Sequence, residues 1–208
     1  GWISPELFIR LSMKNDQIFE LMKYQLHKIC CFLKENKEVL AGINNVKINI
    51  SPKELTQKGY CENLIAIIRS NGLSPERFQF EVTETCATKY SKELEDCIQM
   101  LGNAGITLCL DDFGCGYANL ERILHLPFSV IKMDRSLLHN IGINPRTTMF
   151  YESMVKTLHH CGYQIVSEGV ETRREVEVLE NCKVDMIQGY YYAKPLPGHE
   201  ILKKLRKS

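Results

Sequence analysis

The chain has 208 residues, 44% of them hydrophobic and 25% charged, with a formal charge of +1. That is enough for one domain with a sizeable core, and the near-neutral balance excludes a general nucleic-acid-binding surface, which draws its affinity from a basic excess. No apolar run reaches membrane length, and nine cysteines without a CxxC or a signal peptide read as reduced thiols of a cytoplasmic protein rather than a disulfide framework.

Ile18, Leu21, Met22, Ile29 and Leu33 recur at helical spacing, predicting a first helix capped by Asn15 or Asp16 and ending near Lys37. A strand follows at Val46–Ile50. A helix over 62–70, closed by Asn71-Gly72, leads to a strand at Phe78–Thr83, and a helix over 92–104, stopped by Gly105, leads to a strand at 106–110. The alternation continues with a strand at Val130–Met133, a helix over 147–161, a strand at Gln164–Ser167, a helix at Arg173–Asn181, a strand at 185–187 and a closing helix from Gly198. Repeated strand-helix units of this length imply an α/β protein with a parallel sheet and helices packed outside it. Cys30, Cys31 and Cys109 fall inside these elements and read as small core hydrophobes.

The chemistry concentrates after the strand at 106–110. Asp111 and Asp112 lead directly into Phe113-Gly114-Cys115-Gly116-Tyr117, where two glycines permit a tight loop. Carboxylates ending a buried strand are costly unless their charge is offset, and a divalent cation is the commonest partner that holds two together. Because strand residues alternate sides, Asn49, Glu81, Asp111, Lys132, Glu168 and Gln188 each oppose their apolar neighbours near the carboxyl end of a strand. Any one of them could simply end its strand in solvent. The shared register points instead to a common mouth, where barrels of parallel strands carry their chemistry. Lys132 beside Asp134 also admits a structural ion pair, or a Schiff-base lysine of an aldolase-like barrel. The segment from Gly114 to Asn119 lacks the third glycine of a dinucleotide fingerprint, and two acids precede it where phosphates would be repelled.

Several blocks occur in one order along the chain: Asn49-Ile50-Ser51-Pro52, Glu81-Val82-Thr83-Glu84, the Asp111 to Tyr117 loop, Lys132-Met133-Asp134, Ser167-Glu168-Gly169-Val170-Glu171-Thr172, Gln188-Gly189-Tyr190 and Lys194-Pro195-Leu196-Pro197. The series resembles the EAL family of cyclic-di-GMP phosphodiesterases, whose motifs run NLSP, ExTE, DDFGTGY, KxD, AEGVET, QGY and RPLP. The Glu-Ala-Leu that names the family is missing, and Gly1 to Ile9 resembles the stretch just downstream of it. The resemblance therefore implies a TIM-like (β/α) barrel incomplete at its N-terminus, its first strand absent from the chain. One domain over residues 1–208 is expected, the C-terminal part of a larger signalling protein.

The resemblance further implies metal-assisted hydrolysis of cyclic-di-GMP to linear pGpG. Asn49, Glu81, Asp111, Asp112 and Glu168 offer the oxygen ligands that one or two Mg2+ or Mn2+ ions prefer. Lys132 matches the lysine that orients the attacking water, and Glu168 the general base. Glu84 matches the brace of the loop starting at Asp112, while Asp134, Glu171, Gln188 and Pro195 fall at supporting or substrate-side positions. Phe113, Gly114 and Gly116 shape the loop, in which Cys115 stands where the family often has threonine. Implied partners are cyclic-di-GMP, a second copy of the chain and an upstream GGDEF or sensor domain, with no nucleic-acid polymer and no membrane contact. The alternative is a catalytically silent module that binds cyclic-di-GMP or serves dimerisation and regulation.

Overall fold

The structure is a computed structural model that describes residues 7–8, 11–12, 17–84, 91–116 and 120–206. Asn15, Asp16, Tyr117, Ala118 and Asn119 lie outside these residues. In chain order the main elements are α1 (Ile18–Glu35), β1 (Val46–Ile50), α2 (Pro52–Leu55), α3 (Tyr60–Ser70), β2 (Phe78–Thr83), α4 (Lys92–Asn103), β3 (Thr107–Phe113), α5 (Leu120–His125), β4 (Val130–Met133), α6 (Pro145–His160), β5 (Gln164–Ser167), α7 (Arg173–Asn181), β6 (Met186–Ile187) and α8 (Gly198–Leu205). No described helix is long and apolar enough to cross a membrane.

The strands form one six-stranded sheet in the order β1-β2-β3-β4-β5-β6, and every pair is parallel. This is a half-barrel in which, among the described residues, β1 and β6 are the edges. Its two faces differ. Ile48, Ile50, Phe80, Val82, Leu108, Leu110, Ile131, Met133 and Ile165 join the main core beneath the helices. Cys109, Val130 and Val166 form a separate small cluster, and they share strand parity with Asp111, Lys132 and Glu168. The inner face thus carries a thin apolar floor below a polar mouth, the division the alternation of strand side chains demands.

The longer helices each bury one stripe. In α1, Ile18, Met22, Leu26, Cys30 and Leu33 are buried, a spacing of three to four residues that aligns them on one face. In α3 the stripe is Tyr60, Cys61, Leu64, Ile65 and Ile68. Each such side chain, fully withdrawn from water, contributes about 1.5–3 kcal/mol.

Two expectations need correction. Strand β3 does not stop at Leu110 but continues to Phe113, because its register against β4 shifts between Leu110 and Phe113. The cysteines are not all thiols either: Cys61 of α3 and Cys97 of α4 are joined by a disulfide. Both lie in the main core, where helix packing brings their backbones within bridging distance.

Candidate active site

The mouth is built at the carboxyl ends of β1 to β5. Asn49, next to last in β1, lies in register with Glu81 on β2. The turn after Asn49 is held by a capping box, in which Ser51 N donates to Glu54 Oε2 at 2.8 Å. Glu54 is itself buried and accepts from Tyr60 Oη at 3.1 Å, so the end of β1 is anchored to α3.

Lys132 is the centre of the site. It is 3% exposed, and its Nζ stands 2.8 Å from Glu81 Oε2, Asp111 Oδ1 and Glu168 Oε1, side chains carried by β2, β3 and the end of β5. The first two contacts are hydrogen bonds, and Glu168 completes the cluster as an ion pair. Burial pushes the lysine pKa down, but the three carboxylates outweigh it and hold the ammonium far above its ordinary value. With its Nζ engaged by three carboxylates, Lys132 is placed as a charge partner rather than as the free amine a Schiff base requires, which speaks against the aldolase-like alternative. Burial and the adjoining Asp111 push Glu168 up to about 7. Burial acts the same way on Asp111, yet the hydrogen bond from Glu168 and the Lys132 ammonium keep it below the usual carboxylate range.

Asp111 and Asp112 separate through a β-bulge. Leu110 pairs with Ile131 and Phe113 with Met133, so one extra residue is fitted between them. Asp112 takes it up with a left-handed φ of 57°. Asp111 therefore points into the half-barrel, Asp112 is exposed at the rim, and Phe113 returns to the core. Burial, then the charges of Asp111 and Asp134, raise the Asp112 pKa.

Glu84 Oε2 accepts from Gly114 N at 2.8 Å, while its buried Oε1 has no hydrogen-bond partner among the described residues. A β-carbon on Gly116 would lie 2.8 Å from that free oxygen, so glycine lets the loop close over the carboxylate. Asp134 turns towards the loop as well: its Oδ1 accepts from Ser136 N at 2.7 Å, capping the short turn after β4. Cys115 is exposed, with Sγ 3.7 Å from Ser136 Oγ.

Two cavities flank this centre. One of about 610 Å³ includes Asn49, Glu81, Asp111 and Asp112 in its lining and opens between β1 and α1. The other, about 780 Å³, is lined in part by Glu168, Glu171, Gln188, Tyr190 and Pro195. Arg135, which sequence reasoning passed over, lines it too and pairs with Glu171 at 2.8 Å. Its place directly after Asp134, in the loop leaving β4, was the available signal. Gln79, buried two residues before Glu81 and 3.5 Å from its Oε1, was also missed.

Among the described residues no three His, Cys, Asp or Glu side chains are gathered to hold a metal ion. The donor set nevertheless fits one. Asn49, Glu81, Asp111 and Asp112 line one cavity, and Glu81, Asp111 and Glu168 meet around the buried ammonium of Lys132. They are hard oxygen ligands, and charge of one sign at this density calls for a cation.

Parallel strands curled into a half-barrel, with acids and one lysine at their carboxyl ends, define a protein of the TIM-barrel class with its site at the mouth. Within that class the chain belongs to the EAL domain family, whose pattern matches residues 1–195. It is 33% identical over 203 residues to the cyclic di-GMP phosphodiesterase RocR of Pseudomonas aeruginosa, covering 97% of this chain and 51% of that protein. It is 27% identical over 201 residues to the oxygen sensor protein DosP of Escherichia coli, covering 97% of this chain and 25% of DosP. The chain thus spans about half of one relative and a quarter of the other. The structure of the PaMucR phosphodiesterase in complex with c-di-GMP superposes with a TM-score of 0.86 at 25% identity, over 97% of this chain and 81% of that one.

Proposed function

We propose that this domain hydrolyses cyclic-di-GMP to linear pGpG. The observation that carries the reading is the convergence of Glu81, Asp111 and Glu168 on the buried Lys132, each 2.8 Å from its ammonium. Asn49, Glu81, Asp111, Asp112 and Glu168 would hold one or two divalent ions, magnesium or manganese. Such ions polarise the phosphodiester and lower the pKa of water.

The remaining work falls to the side chains. Lys132, fixed by carboxylates from β2, β3 and the end of β5, places a positive charge where phosphate oxygens gain negative charge, with no reorganisation at the moment of reaction. Glu168, held 2.8 Å from the Lys132 ammonium and pushed up to about 7 by burial and Asp111, takes the proton of the attacking water. Glu84 holds the amide of Gly114 and so keeps Asp112 at the rim. The larger cavity, with Tyr190 and Pro195 in its wall, accommodates a nucleobase. A cytoplasmic parent protein with an upstream sensor or GGDEF domain, and association of two copies, belong to the same reading.

The second reading is a module that binds cyclic-di-GMP without cleaving it. It is favoured by the lysine standing among the carboxylates and by the lack of a ready three-acid metal site among the described residues. Incubating the protein with cyclic-di-GMP and magnesium or manganese, and separating the products by chromatography, decides between them. The hydrolytic reading requires pGpG from the native chain and a loss of at least about 10²-fold in Glu168→Gln. Retained binding with no pGpG from the native chain would establish the receptor reading.

A further inference from the structure

The Cys61–Cys97 bond stands apart from the mouth, and nothing in the hydrolytic chemistry uses it. We propose that this pair is a reversible redox modification site whose oxidant is a small disulfide of the glutathione class, and that its closure clamps the segment carrying Glu81 and Glu84.

The geometry singles out this pair. Their Cα atoms are 6.0 Å apart, within the 4.4–6.8 Å range that bridged cysteines occupy. The other described cysteines, Cys30, Cys31, Cys109, Cys115, Cys161 and Cys182, are free. Cys61 is 1% exposed and Cys97 is 7% exposed, both inside the main core. In that setting two reduced thiols pack as small hydrophobes. The backbone spacing therefore serves the dithiol and the disulfide alike, and α3 and α4 need not move between the two states.

The two sulfurs are 36 residues apart in sequence, and the enclosed segment holds the whole of β2, Phe78–Thr83, with Glu81 on it and Glu84 just beyond. The helices that carry the bond lead into β2 and β3, the strands that supply Glu81 and Asp111 to Lys132. Closing the bond restricts the opening of this unit, with β4, β5 and α6 lying outside the closed loop.

The exchange balances. When the helix pair opens locally, Cys97, the more exposed thiol, attacks as thiolate one sulfur of the small disulfide and expels one thiol. Cys61 then attacks the mixed disulfide at Cys97 and expels the second. The protein gives up two protons and two electrons, and the oxidant's S–S bond is reduced to two thiols.

The test uses the whole chain equilibrated with either glutathione disulfide or dithiothreitol, then alkylated in denaturant and mapped by mass spectrometry. The oxidised sample should yield one linked peptide pair holding Cys61 and Cys97, and the reduced sample none. The thermal midpoint of the oxidised form should lie about 8–15 °C above that of the reduced form. Hydrogen exchange over residues 78–83 should be slower after oxidation. In Cys61→Ala/Cys97→Ala the midpoint should be the same in both buffers. If that variant does not fold, the peptide map and the exchange data on the native chain decide alone. Nine alkylated thiols after oxidation, a linked pair built from other cysteines, or equal exchange over 78–83 in both states would overturn the proposal.

Discussion

Glu84 and Gly114 are 30 residues apart in sequence, yet Glu84 Oε2 accepts the Gly114 amide hydrogen at 2.8 Å, fixing the loop after β3 to the end of β2. A buried carboxylate accepting from a backbone amide makes a charge-assisted hydrogen bond. Glu84→Ala leaves the amide without its partner and frees the rim that carries Asp112. We expect turnover of cyclic-di-GMP to fall by about 10-fold or more, with a smaller change in stability, about 1–3 kcal/mol. Steady-state kinetics beside urea denaturation separate the two; unchanged turnover would remove the bracing role.

Lys132→Met should do more harm to folding. It leaves Glu81, Asp111 and Glu168 facing one another with no counter-ion, and removing one partner of a buried charge cluster costs about 3–5 kcal/mol. Magnesium at millimolar concentration should restore part of that loss, raising the thermal midpoint of the variant more than that of the native chain. A midpoint for the variant that ignores magnesium would argue against cation binding at this mouth.

Asp185 gives the pH dependence. Its Oδ2 accepts from Ile165 N at 2.7 Å and lies 2.8 Å from His159 Nε2, tying β5 to the end of α6. Partial burial works to raise its pKa, but the Ile165 amide and His159 outweigh it and hold it below 3.8. A group depressed in the folded state contributes stability above its unfolded pKa and loses it as pH falls through the folded value. Asp185→Ala should therefore cost about 1 kcal/mol at pH 7, screening by solvent keeping the figure low, and the gap to the native chain should narrow below about pH 4. Chemical denaturation at pH 7 and pH 3 reads both numbers.

Gly189→Ala tests the close approach of two loops. A β-carbon at Gly189 would collide with the backbone carbonyl and amide of Val170, in a place where Val170 N donates to Gln188 O at 3.2 Å and Tyr191 N to Val170 O at 3.0 Å. Backbone cannot give way as a side chain can. A loss of about 3 kcal/mol or more is expected, together with weakened cyclic-di-GMP binding, since Glu168 and Gln188 flank the collision. Calorimetric melting with and without the ligand measures both effects.

The sequence by itself determined the order of elements, because strand and helix periodicities survive in any environment: all six strands fall within three residues of their expected ends. It also placed Asn49, Glu81, Asp111, Lys132 and Glu168 on one face, since strand side chains alternate as long as the ladder is regular. Where the ladder is irregular the inference ended. The bulge that turns Asp112 to the rim rests on the register of β3 against β4, and register is a property of two segments that no single one encodes. The same limit hid Lys132 as the hub of three ion pairs, Arg135 reaching Glu171, and the bond between Cys61 and Cys97. Each joins residues distant along the chain, and only the packing of helices and strands in three dimensions sets the distance between them.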